Sequence, residues 1–378
     1  MTPPTPEPST PELPGAGLSE TELPSGRQYT IVHGADRATV VEVGGGLRSY
    51  VADGRELLDG YAEDHMVSSA RGQPLIPWPN RLRDGQYTWD GETHQAPLSE
   101  PDKGNAIHGF LRFANWTCLG QTTSAVDLGH VLHPRPGYPF TLAVRLSYRL
   151  GPDGLTVTTT ARNVGSQALP YAAGQHPYLA APTWLVDDCV LQAPGATYLP
   201  TDDRGIPTGR ESVHGSEYDF RAGRAIGTTQ LDLAFTDLDR DVDGRAWVRL
   251  QAPDGRGATL WLDDGYQYLE LFTGDSLPQA QRRRRGLGIE PMTAPPNAFQ
   301  AGTDVQRFEP GETSSASWGA RSLPEPADRP PSRPAAGLAE PAPAGRRVLF
   351  SPLGDVGPRL RRSPEGSGIR TTHNRRSV

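Results

Sequence analysis

Glu290 stands in GLGIEPMTAPPNAF (286–299), the one acidic residue among glycines, prolines and small apolar side chains, with Pro291 directly behind it. A carboxylate in such company has three fates: its pKa rises, it finds a specific partner, or it points into water. The first two suit a catalytic base, and the third is an ordinary solvated acid. Two histidines sit in comparable settings, His108 in GNAIHGFLR and His176 in AAGQHPYLA. Pro177 follows His176 as Pro291 follows Glu290, and a residue before proline is biased to extended backbone. Both side chains are therefore expected to project from strand-like chain, where a rigid sheet could hold them opposite each other. A histidine facing a carboxylate across a cleft forms a general acid–base pair.

PWPNRLRDG (77–85) adds Arg81, whose fork of donors suits hydroxyls and carboxylates, with Asn80 beside it as a further candidate for binding. Trp78, three residues before Arg81, could offer an apolar face to a sugar ring, although tryptophan is more often core. Asp232 in TTQLDLAF lies inside an apolar segment and needs partners, which hydroxyl donors or backbone amides would supply.

Other motifs point to weaker chemistry. DRDVDG (239–244) fits the first half of a calcium loop, but the position of the bidentate acid holds Leu250, so a solvated turn is expected. The run RRRR (282–285) could hold a phosphate, although such runs are usually solvated loops. The histidines show no H-x-H or H-E-x-x-H spacing, so a zinc site has no support.

These residues must be positioned by a core. Between roughly residues 25 and 319 the pattern is β. TLAVRLSYRL (141–150) alternates, with Leu142, Val144, Leu146, Tyr148 and Leu150 on one face. GLTVTTTARN (154–163) continues it beyond Gly-Pro-Asp-Gly, which predicts a hairpin. RDGQYTWDGETHQ (83–95) carries two Asp-Gly turns, and ATLWLDD with YQYLELFTGD (258–275) predicts another strand pair around Gly265. Long amphipathic helical patterns are missing, and many short strands argue an all-β sandwich or barrel.

The ends differ in composition. A Pro/Thr/Ser/Glu-rich leader (1–24) and a Pro/Arg-rich tail (320–378) carry too few apolar residues to offset their ordering entropy, so both are expected to be disordered. The leader has neither the basic start nor the apolar stretch of a signal peptide. No segment approaches the roughly 18 apolar residues of a membrane span. The net charge of −7 invites no nucleic acid, and two cysteines in so long a chain read as buried thiols in a reducing compartment. A cytoplasmic protein without membrane or nucleic-acid partners, monomer or homodimer, is expected.

The runs PLIPWPNRLRDGQYTWDGETHQ, GNAIHGFLR, AAGQHPYL, TYLPTDDRGIPTG, YDFRAGRAIGTTQLDLAFTDL and GIEPMTAPPNAF, in this order, resemble the aldose 1-epimerases, or galactose mutarotases. The resemblance implies a large β-supersandwich with an open cleft, no cofactor, and a small-molecule sugar as partner. The implied reaction interconverts the α and β anomers of free aldoses. On it, Glu290 matches the base that takes the C1 hydroxyl proton, and His176 the acid that protonates the ring oxygen. His108 matches the second site histidine, and Arg81 and Asp232 match hydroxyl-binding positions. Two rivals share the fold: a hexose-6-phosphate 1-epimerase, with RRRR as its only obvious phosphate pocket, and a non-catalytic sugar-binding module. A glycosidase lacks support, because no second carboxylate stands in a motif comparable to that of Glu290.

Overall fold

A computed structural model describes residues 22–323. The leader and tail therefore lie outside the described residues, apart from 22–24 and 320–323, and the strand Thr313–Ser322 runs three residues past the expected domain end. The fold is an all-β supersandwich. One sheet has nine strands, centred on Leu142–Gly151, Gly154–Asn163, Thr313–Ser322 and Gly257–Leu262. A second sheet has eight, with Asp232–Leu238, Tyr268–Phe272 and Gly286–Met292 side by side at its middle. Among the described residues the sole α-helix is a four-residue turn, Ala298–Ala301.

The alternation in 141–150 emerges as expected: Leu142, Val144, Leu146, Tyr148 and Leu150 are all buried, and the strand pairs with Gly154–Asn163 from Leu142↔Asn163 to Gly151↔Gly154. Leu146, Tyr148 and Val157 of the large sheet share one core with Leu269, Leu271, Leu287 and Ile289 of the other. The second Asp-Gly of 83–95 makes the expected hairpin between Gln86–Trp89 and Glu92–Gln95. Asp90 (φ 48°) and Gly91 (φ 85°) both take the left-handed backbone that a tight two-residue turn needs.

The strand pair expected around Gly265 does not form. Gly257–Leu262 lies in the nine-stranded sheet and Tyr268–Phe272 in the eight-stranded one, so residues 263–267 cross between sheets. Asp263 fixes the crossing: its carboxylate accepts from the Gly265 amide at 3.1 Å and from the Ser317 amide at 2.7 Å. DRDVDG is a turn between strands, and its Asp241 accepts from the amides of Asp243 and Arg245 and from the Trp247 indole. Cys189 is a buried thiol as expected, whereas Cys118 is only partly buried, on the strand Thr117–Gln121.

Candidate active site

The second sheet positions the acids by its two-residue period. In Gly286–Met292, Leu287 and Ile289 enter the core, which turns Glu290 to the other face. In Tyr268–Phe272, Leu269 and Leu271 do the same, leaving Glu270 and Phe272 beside it. Asp232 pairs with Phe272 on the next strand. An acid in an apolar stretch is thus explained, since one face of the strand packs and the other looks into a cleft.

Glu290, His176, His108, Arg81, Asn80 and Asp232 all line that cleft. His176 Nε2 lies 3.2 Å from Glu290 Oε1, and both side chains are almost wholly buried. The histidine is anchored through its backbone, whose amide donates to Gln73 O at 3.0 Å and whose carbonyl accepts from the Gly72 amide at 2.9 Å. Its ring stacks on Tyr178 at 4.9 Å and 8°, and the Arg71 guanidinium lies 4.6 Å from the same tyrosine ring. Burial first, then the Arg112 and Arg71 cations, lower the His176 pKa to about 3. Burial and Asp232 hold Glu290 well above the usual carboxylate range, with Arg81 opposing them. Burial opposes the charge of each group, and one proton between Nε2 and Oε1 leaves the pair without net charge whichever of the two carries it.

His108 meets His176 edge to face, with ring centroids 5.3 Å apart. The Asn80 amide donates to His108 Nδ1 at 3.1 Å, and the His108 amide donates back to Asn80 O at 2.9 Å. Both residues take left-handed backbone, φ 61° and 52°, a conformation that costs a branched side chain dearly but suits Asn. Burial first, then Arg112, keeps the His108 ring neutral. With Nδ1 accepting, Nε2 carries the hydrogen and is a donor. Ligand atoms of His108, His176 and Glu290 do lie within 4.8 Å of one another, a spacing that could hold a metal ion. The His108 tautomer works against it, because a ligating nitrogen must offer a lone pair.

Arg81 chelates Glu100, with Nε 3.0 Å from Oε2, and reaches Asp232 at 3.7 Å. Burial of its charge is outweighed by these acids, which keep it firmly protonated. Gly205, from TYLPTDDRGIPTG, packs against it, and a Cβ there would lie 2.5 Å from Arg81 Nη1. That motif shapes the arginine's seat rather than the cleft itself.

Trp78 is placed elsewhere. It is buried between Phe110 (4.9 Å) and Phe299 (5.5 Å) and does not line the cleft. The RRRR run is not brought to the cleft either. Arg282 pairs with Asp59, Arg284 with Asp187 and Asp275, Arg283 donates to Leu277 O, and Arg285 covers the Trp184 ring. Arg112 and Glu270 are among the residues around the cleft that the sequence reading passed over. Arg112 lines the cleft with no carboxylate partner among the described residues, and burial lowers its pKa. Glu270 lies directly opposite Glu290 on the neighbouring strand.

The family model for aldose 1-epimerase matches residues 27–319. The chain belongs to the aldose 1-epimerase family. It is 32% identical over 289 residues to YihR, an uncharacterized protein of Escherichia coli K12, a match spanning 76% of this chain and 91% of that one. To the aldose 1-epimerase of the same organism it is 28% identical, over 53% of this chain and 60% of the enzyme. Among solved structures, the aldose epimerase homologue of C. elegans superposes with a TM-score of 0.69 at 16% identity, covering 79% of this chain and 99% of that one. Galactose 1-epimerase from Lactobacillus acidophilus gives 0.66 at 21%, covering 78% and 94%. At such identities the family's fold is what is shared. No helix among the described residues is long and apolar enough to cross a membrane.

Proposed function

We propose that this family member is an aldose 1-epimerase, interconverting the α and β anomers of a free aldose such as glucose or galactose. The observation that carries the reading is the His176–Glu290 contact of 3.2 Å on the wall of one cleft. In a hemiacetal the C1 hydroxyl and the ring oxygen share one carbon, so two proton-handling groups at hydrogen-bond distance can address both. Glu290 takes the hydroxyl proton while His176 delivers one to the ring oxygen. The ring opens, the C1–C2 bond turns, and reclosure on the other face runs the transfers backwards. A pair sharing one proton is base at one end and acid at the other, and a positioned group of either kind contributes about 10²–10⁴-fold. His108 presents its Nε2 hydrogen to the sugar near the ring oxygen, while Arg81 and Asp232 hold hydroxyls. A site that paired acid and base this closely would be wasted on a binding module.

Arg112 favours a second reading, an aldose with an anionic substituent such as a 6-phosphate, since a cleft-side cation without a carboxylate suits one. Polarimetry on freshly dissolved α-D-glucose, α-D-galactose and their 6-phosphates tests both. Acceleration of the free sugars supports the first reading, and acceleration confined to the phosphates supports the second. If all four relax at the uncatalysed rate, the epimerase reading is wrong.

A further inference from the structure

Behind the cleft wall sits a carboxyl that the reaction above does not use. Glu270 is 2% exposed and does not line the cleft. It pairs in register with Glu290, so the two side chains leave the sheet on one face as direct neighbours, about 4.5–5.5 Å apart at Cβ. Asp232, one strand further over, pairs with Phe272 and is the diagonal neighbour of Glu270 on that face. Oε2 of Glu270 and Oε2 of Glu290 are both buried without a protein partner.

Three carboxyls thus occupy adjacent strands. The charged and titratable groups facing Glu270 are Asp232 and Glu290 from the flanking strands and Arg81 from Arg81–Arg83. Arg81 is already chelated by Glu100. One partly committed cation cannot neutralise three buried acids, and neighbouring carboxylates in a dry site do not all ionise. Two neighbouring carboxyl groups can share a hydrogen bond only with a proton between them. Burial is the largest influence on Glu270 and acts in the same direction as its two acidic neighbours, favouring the protonated form. Asp232 is the more exposed of the two and lies 3.7 Å from the Arg81 guanidinium.

We propose that Glu270 is a positioning residue of this site, a carboxylic acid rather than a carboxylate, which donates its proton to Asp232 and so fixes that carboxylate for the sugar. One Asp232 oxygen is held from behind, and the carboxylate keeps capacity for Arg81 and for a hydroxyl in the cleft. A neutral Glu270 also spares Glu290 a second negative charge at its side, which would oppose its ionisation as base. The effect on sugar binding rests on the aldose reading, whereas the protonated acid does not.

Two measurements on the full chain separate these claims. Infrared difference spectra of wild type against Glu270→Gln near neutral pH should show the C=O stretch of a protonated carboxylic acid that is lost on the substitution. A carboxylate band in its place overturns the proposal, whatever the protein catalyses. In polarimetric assays, Glu270→Leu should raise KM about tenfold or more through the freed Asp232, and Glu270→Gln, which keeps a donor, should recover most of that loss. A Gln variant as impaired as the Leu variant would mean that an ionised Glu270 is required. A Leu variant indistinguishable from wild type would mean that Glu270 positions nothing. Should wild type itself leave every sugar unaccelerated, the epimerase reading fails while the infrared result still decides the state of Glu270.

Discussion

Replacing Glu290 by Gln changes one atom and should move activity and stability in opposite directions. Glutamine fills the same volume in Gly286–Met292, so the packing of Leu287 and Ile289 beneath it is kept. The variant loses the base, for which about 10²–10⁴-fold is expected, equivalent to about 3–5 kcal/mol in the transition state. For stability the sign follows from burial. Glu290 has its folded pKa raised above the ordinary 4.5, so the folded state binds its proton more tightly than the unfolded chain does. Its stabilising contribution is therefore complete below 4.5 and is lost as pH rises toward the folded value. Glutamine has no such dependence. The melting temperature of the variant relative to wild type should climb as pH rises above 4.5, where the unfolded chain gives up the proton and the folded one still holds it. Polarimetry and thermal melts on the same samples read both effects. Activity within tenfold of wild type would remove Glu290 as the base. A relative melting temperature that falls as pH rises would show that the carboxylate is stabilised by a charge not recognised in the geometry.

Arg112→Leu removes the second-largest influence holding His176 near 3, so the acid limb of the kcat/KM profile should move toward the ordinary 6.5; an unmoved limb would mean burial alone depresses the ring. His108→Phe strands the buried Asn80 amide that donates to Nδ1, and chemical denaturation should show a loss of about 1–3 kcal/mol. Its KM should also rise, and an unchanged KM would remove the Nε2 donor from sugar binding. Trp78→Ala should cost about 3–5 kcal/mol in stability with little change in KM, because the indole packs on Phe110 and Phe299 rather than on the cleft. A KM effect larger than the stability loss explains would return Trp78 to the sugar.

The sequence showed the residues proposed as acid and base because each departs from its local pattern, as a lone acid among glycines and prolines does. Asp232 and Arg81 stood out for the same reason. Glu270 left a fainter trace. In YLELF it is an acid between two leucines, on the alternation that sends Leu269 and Leu271 to the core, and it looked like the solvent face of an ordinary strand. Only the neighbouring strands show that this face is buried. Arg112 lies within the short turn Leu111–Phe113 after His108, a place where nothing local says which way a side chain goes. The misplaced strand pair at 258–275 has a related cause. Two apolar runs around a glycine look alike whether the chain folds back on its own sheet or crosses to another. Here the choice is made by Asp263 accepting from Ser317, more than fifty residues away. The arginine run failed as a phosphate pocket because its partners, Asp59, Asp187 and Asp275, are distant or unremarkable in sequence.

The arrangement of charge fits the chemistry proposed for it. Ring opening moves protons but leaves no lasting charge, so a site for it gains nothing from a permanent ion beside C1. It needs groups able to exchange one proton with little reorganisation. A neutral His108 with a fixed donor, a His176–Glu290 pair sharing one proton, and a Glu270 that holds its own keep full charges off the reacting end. The permanent charges of Arg81, Glu100 and Asp232 gather instead where hydroxyls would be held. Rotation about C1–C2 requires this division. The hydroxyl-bearing part of the sugar must be gripped by strong, oriented contacts while C1 and its two oxygens stay free to turn. Moving a permanent charge to the reacting end should therefore hurt more than moving one at the hydroxyl end. Arg112 is a cleft-lining cation at the reacting end, which is why its replacement should read directly on His176.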